Sequence, residues 1–126
     1  MDAENIIYRI LLTNNREMKQ RGGTNLNVVY NDSVVFITLL GSNVSINNNE
    51  VSTEFALPDG VLPNADRYII APLMDSGWRP TNKIAYFNFK VATKNPIIRL
   101  STDTTSVSYA VIVGTYAFPR NYFSIT

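Results

Sequence analysis

From residue 24 onward the hydrophobic and polar positions of this chain alternate with a period near two. The stretch "KIAYFNFKVAT" (residues 83–93) is the clearest case, with Ala85, Phe87, Phe89 and Val91 on one side and Tyr86, Asn88 and Lys90 on the other. Such alternation predicts a half-buried strand. "TKNP" then turns into "IIRLS", so the two runs read as a hairpin. "NLNVVYN" is a short alternating strand, whereas "SVVFITLLG" is apolar on both faces, as expected of a central strand covered on each side. "VSI" and "EVSTEF" flank the turn cluster Asn47, Asn48 and Asn49. "RYIIAPLM" carries Pro72, which has no amide proton for a ladder, so this strand lies at an edge or bulges there. "SVSYAVIVGTYAF" is the last long strand. It is expected to place Val107, Tyr109, Val111 and Val113 on one side and Ala110, Ile112 and Tyr116 on the other.

The joints between these runs are turn sequences. In "LPDG" Pro58 is suited to the second turn position and Gly60 to the fourth, and Pro63 with Asn64 continues the loop. "SGWRPTN" is a second Pro-Gly loop, and "TDTT" is another turn. The count is about seven or eight strands, which predicts an all-β fold, an antiparallel β-sandwich or jelly roll. Residues 1–21 read differently. Ile6, Ile7, Ile10, Leu11 and Met18 share a side at helical spacing, Glu17 and Arg21 are four apart, and Gly22 with Gly23 is a stop signal. The spacing favours a short N-terminal helix, while the β-branched content of "IIYRILL" and the turn-forming Asn14-Asn15 keep a strand open. The expected organisation is one domain over 1–126, with a helical segment at 1–21 and a β-sandwich at 24–118.

Composition narrows the function. A chain of 126 residues buries roughly two-thirds of the surface its unfolded form exposes, enough for a core. Only 17% of it is charged, against about 25% in a typical soluble domain. Net charge is +1 and the cations are scattered, which argues against nucleic acid as a partner. No run is long and apolar enough for membrane insertion, and the acidic start with Asp2 and Glu4 does not resemble a secretion signal. The sequence has no cysteine and no histidine. Thiolate metal sites and the common Ser-His and Cys-His catalytic pairs are therefore excluded, and no cofactor or metal is implied.

The remaining candidates lie in loops. Glu54, Asp59, Asp66 and Asp75 could supply a carboxylate pair for glycan hydrolysis, but turn chemistry accounts for each of them, and the chain is read as no enzyme. Trp78 is the only tryptophan. Flanked by Asp75, Arg79 and Asn82, it suits a saccharide site, with the ring stacked on a sugar face and polar groups on its hydroxyls. The bland alternative is a Trp plugging the end of the core. The tyrosines Tyr68, Tyr86, Tyr109, Tyr116 and Tyr122 carry the same ambiguity. Apolar residues on both faces of several strands exceed what one core of this size needs, as expected when subunits cover part of them.

The succession "VVFITLLG", "LPDGVLP", "YFNFKVATKNPIIRL" and a final strand with "GTY" resembles the C-terminal head domains of receptor-binding and tail-tip proteins of siphophages of Gram-positive hosts, lactococcal ones included. The resemblance covers residues 31–116. It implies a compact β head, a virion tail component made in the host cytoplasm, and a homotrimer. Other phage tail proteins and a cell-wall saccharide are the partners it implies. On that resemblance the chain is expected to be a non-enzymatic tail-tip or baseplate protein that assists host adsorption. The alternative is an isolated carbohydrate-binding module without a virion role. In either case Pro58, Gly60 and Pro63 are architectural.

Overall fold

A computed structural model describes residues 18–101 and 105–126. Among these the chain is nearly all strand: β1 (Lys19–Gly23), β2 (Leu26–Tyr30), β3 (Val34–Asn47), β4 (Glu50–Val51), β5 (Val61–Pro63), β6 (Arg67–Met74), β7 (Pro80–Phe89), β8 (Ile97–Leu100), β9 (Ser106–Pro119) and β10 (Phe123–Ile125). A single 3-10 turn, Arg120–Tyr122, separates the last two strands. Eight strands form one curled antiparallel sheet in the order β1-β2-β3-β9-β6-β7-β8-β4, and β5 pairs with β10 in a separate ribbon. The expected N-terminal helix lies outside the described residues up to position 17. Its last positions, Lys19 to Arg21, are strand instead, paired with Val28 to Tyr30. Gly22 and Gly23 lower helix propensity there, and the ladder with β2 satisfies the backbone that a helix would have satisfied.

The sheet curls because its two longest strands are bent. β3 and β9 pair from Val34↔Pro119 to Asn47↔Ser106, with two register shifts. Between Gly41 and Val44 the extra residue is on β3, where Asn43 has φ +58. Between Val107 and Ala110 it is on β9, where Tyr109 has φ +60. Each bulge adds one residue to one strand and bends the pair. The β9 bulge also changes which side chains face inward. Val107 packs against the core, Tyr109 is thrown out, and Ala110, Val111 and Ile112 are all buried. The expected sharing of one face by Val107, Tyr109 and Val111 fails for that reason.

The inward side chains of both halves of the sheet meet in one core. Val35, Ile37 and Leu39 of β3 contribute from one half, and Ile69, Ala71, Phe87, Phe89 and Ile98 from the other. Phe55, on the segment linking β4 to β5, sits edge-on to Phe87 with ring centroids 5.1 Å apart. Gly41 makes room for it: a Cβ at that position would lie 2.9 Å from the Phe55 ring. The hairpin of β7 and β8 is present with Phe87 opposite Ile98. Val91 does not share the inward face, because β7 ends at Phe89 and Val91 is exposed in the following loop. The outer face of β3 is only partly covered, not buried as a two-faced strand would require: Phe36 and Thr38 are half-buried and Leu40 is 57% exposed.

The turn chemistry is close to expectation, with one shift. Val61 N–H donates to the Pro58 carbonyl at 3.2 Å, so the turn starts at Pro58 and Gly60 is its third residue, with φ +84. That position of a type II turn demands a left-handed backbone, which is why glycine is there. Pro63 is not loop but the end of β5, opposite Phe123. The β10 ribbon is fastened further by Arg67, whose guanidinium lies 3.7 Å above the Tyr122 ring. Strands therefore extend beyond the expected 24–118 at both ends. Pro72 faces outward next to a register shift, and β6 meets β9 only at Met74↔Val111, so β6 has both the bulge and the open side expected of a strand carrying proline.

Candidate functional site

The β6–β7 connection is a tight loop closed by its own aspartate. Asp75 N–H donates to the Arg79 carbonyl at 2.9 Å, and Trp78 N–H donates to the Asp75 carbonyl at 3.0 Å. Asp75 Oδ1 accepts from Gly77 N–H at 2.9 Å and from Arg79 N–H at 3.0 Å. Such side-chain mimicry of a turn is the usual reason for aspartate at this place. The loop leaves Trp78 at φ +62 and 53% exposed. A bulky side chain in the left-handed region is an outlier that costs about 1–3 kcal/mol and is held there by its surroundings. The core-plug reading of Trp78 does not hold, since the ring projects outward.

Of the expected site residues, Asp75, Trp78 and Arg79 belong to this one loop. Asn82 stands farther along β7, exposed, at an alternate position with Ile84 and Tyr86. Beside the loop lies a groove of about 300 Å³. Its lining joins Asp75 and Ser76 of the loop to Ser108 and Tyr109 of the β9 bulge, with the apolar Leu73, Met74, Val107 and Ala110 and the polar Thr81 and Lys83. Thr81 is fixed by donating its hydroxyl to the Leu73 carbonyl at 2.8 Å. Tyr109 is 68% exposed. Of the expected site residues only Asp75 lines this groove; Trp78, Arg79 and Asn82 do not, although Trp78, bulky, exposed and left-handed like Tyr109, stands on the loop that borders it. A lining that combines apolar side chains, one aromatic ring and hydroxyl, carboxylate and ammonium groups can hold a ring that is apolar on one face and hydroxylated at its edge. Tyr109, Lys83 and Thr81 were not part of the expected site. Their place depends on the β9 bulge and on cross-strand register, neither of which leaves a local sequence mark.

Of the other acidic candidates, Asp66 and Asp59 make contacts within the fold, whereas Glu54 Oε2 is buried without a hydrogen-bond partner among the described residues. Asp66 accepts from Val91 N–H at 3.1 Å and from Lys90 Nζ at 3.2 Å, tying the β7–β8 loop to the start of β6. The Val91 amide first, and Lys90 second, hold its carboxyl below the ordinary value. Asp59 pairs with Lys94 at 3.2 Å on an open surface, where such a pair adds little. Among the described residues no group of three or more His, Cys, Asp or Glu could hold a metal ion. No helix there is long and apolar enough to cross a membrane. Burial raises the Tyr116 hydroxyl above its ordinary value, in keeping with a ring packed against the core.

No protein-family model matches this chain, and no curated protein matches it at a significant level.

Proposed function

We propose that this chain is a non-enzymatic contact protein of a phage tail tip that holds a cell-wall saccharide in the groove beside Trp78. One observation carries the reading. Two bulky aromatic residues, Trp78 and Tyr109, occupy exposed left-handed positions on segments that border a single groove. Strain at such positions persists only where the fold over-determines it, and it clusters at ligand sites. The resemblance of residues 31–116 to siphophage head domains supports the virion role. The finer architecture we infer is a two-layer sandwich or jelly roll, supported by the single core into which both halves of the curled sheet point.

A homotrimer is the assembly this reading calls for. It is supported by apolar side chains on the outer faces, Leu40 and Val113 on one half and Tyr68, Ile70 and Tyr86 on the other. Weak sites repeated on a symmetric trimer add by avidity, and binding to a repetitive wall polymer becomes strong without any one site being so. Labelled protein is expected to bind intact Gram-positive cells saturably, and to lose that binding when the walls are stripped of secondary polysaccharide. Its molar mass in the same preparation is expected to be that of a trimer. Equal binding to stripped walls, or none to either, would overturn the reading.

A further inference from the structure

At the far end of β9 from Tyr109, three cations share a concavity with one acidic side chain, Asp32, and among the described residues none of them pairs with it. Lys19 and Arg21 of β1 and Arg120 after β9 line a concavity of about 450 Å³, together with Tyr30, Asp32 and Thr126. The lysines elsewhere on the surface that form ion pairs do so at 3.2 Å, Lys90 with Asp66 and Lys94 with Asp59. Among the described residues no carboxylate makes such a pair with Lys19, Arg21 or Arg120. The two arginines are held by main-chain carbonyls instead. Arg21 Nη1 donates to the Asp59 carbonyl at 3.0 Å, and Arg120 Nη1 donates to the Phe123 carbonyl at 2.8 Å. The Arg120 guanidinium also lies 5.8 Å from the centre of the Tyr30 ring.

A carbonyl orients a guanidinium but does not neutralise it. Each arginine has five N–H donors, and the bonds above take one from each. Both side chains are half-buried, so their charge is screened less than that of an open surface cation. Gly60 belongs to the same arrangement. A Cβ there would run into Arg21 Nη1 and would lie 3.0 Å from the Thr126 main-chain oxygen. The left-handed glycine thus leaves the space in which the guanidinium rests on its turn. Three cations share the concavity with one acidic side chain, the exposed Asp32, and with Thr126, whose main-chain oxygen lies near Gly60.

We propose that this concavity binds a phosphate ester. Two planar donor forks arriving from different segments, with a lysine point charge beside them, suit an anion that offers several oxygens in different directions. The volume exceeds that of the anion alone and leaves room along Tyr30 for the polyol or sugar that carries it. The site is separate from the aromatic groove and stands whether or not that groove takes a saccharide.

The test is a titration of the full chain with inorganic phosphate and with glycerol 3-phosphate, with glycerol and acetate as controls, followed by amide chemical shifts. Both phosphates are expected to saturate one site, with shifts at Lys19, Arg21 and Arg120, and to weaken as salt is raised. Lys19→Gln is expected to lower affinity about tenfold while leaving the fold intact, because the Lys19 side chain is exposed and makes no hydrogen bond or ion pair among the described residues. Arg120→Gln is expected to lower it more, but it also removes the bond to Phe123, so Lys19→Gln carries the test. Added vesicles of phosphatidylglycerol distinguish the source: retention on them assigns a lipid headgroup, and no retention with glycerol 3-phosphate bound assigns a soluble or polymer-borne ester. Acetate binding as tightly as phosphate, no phosphate binding, or an unchanged affinity in Lys19→Gln would each overturn the proposal.

Discussion

The two ends of β9 are built on opposite terms. At its start the backbone is strained and the side chains are apolar. A bulge throws Tyr109 outward at φ +60, and the neighbouring β6–β7 loop holds Trp78 at φ +62. Past its end the strained position is a glycine, Gly60, which adopts φ +84 without penalty, and the side chains that gather are cations resting on carbonyls. One end accepts strain to present rings; the other avoids strain and presents charge. A single strand pair, β3 with β9, links them through a bend packed on Phe55 and Gly41.

The largest expected effect removes the bend that both ends share. Phe55→Ala empties a fully buried site against Phe87 and is expected to cost about 3–5 kcal/mol, read as a lower urea midpoint with both ends affected together. If only one end lost its native chemical shifts, the bend would not be what joins them. Next comes Gly60→Ala, confined to the cation end. The left-handed φ and the clash with Arg21 are expected to cost about 1–2 kcal/mol, with shifts at Arg21 and Thr126 and none at Trp78.

At the aromatic end the sign reverses. Trp78→Gly relieves the left-handed strain and is expected to leave stability equal or higher by up to about 1 kcal/mol, while removing the exposed ring. A loss of several kcal/mol on that change would mean that the ring is packed, and the contrast between the ends would collapse. The smallest effect concerns Asp66. Its carboxyl titrates below the ordinary value in the folded chain, so the unfolded chain binds the proton first as pH falls. The stability from this carboxylate is complete above its unfolded pKa of about 4 and is lost as pH drops through the folded value. Asp66→Asn is expected to lower stability slightly near neutrality, where the carboxylate's contribution is complete, and to flatten the acid side of the profile, so that the two proteins converge at low pH.

The contrast also marks what a sequence of this kind can disclose. The β7–β8 hairpin was legible because Ala85, Phe87 and Phe89 repeat at period two with a turn after them, and burial alone decides that pattern. The loop carrying Trp78 was legible as a loop from its Gly and Pro. The left-handed backbone that exposes the ring was not, because nothing in "DSGWRP" states which residue takes the αL position. The bulges at Asn43 and Tyr109 were hidden for a related reason: one inserted residue in a long apolar run leaves both faces looking apolar, so the inward set cannot be read past it. The turn at Pro58 was placed one residue early because proline is tolerated at more than one turn position, whereas the φ of Gly60 fixes only one. The cation pocket could not be read at all. Lys19, Arg21 and Arg120 come from opposite ends of the sequence and meet only through the order of strands in the sheet.

The central claim is that the strained aromatic end is a binding surface, and one comparison tests it most directly. Wild-type protein and Trp78→Gly, both checked for fold by circular dichroism and molar mass, would be titrated side by side onto intact Gram-positive cell walls. The account predicts saturable binding by the wild type and at least a tenfold weaker affinity in the variant, with stability unchanged or improved. Equal binding by the two folded proteins would contradict it.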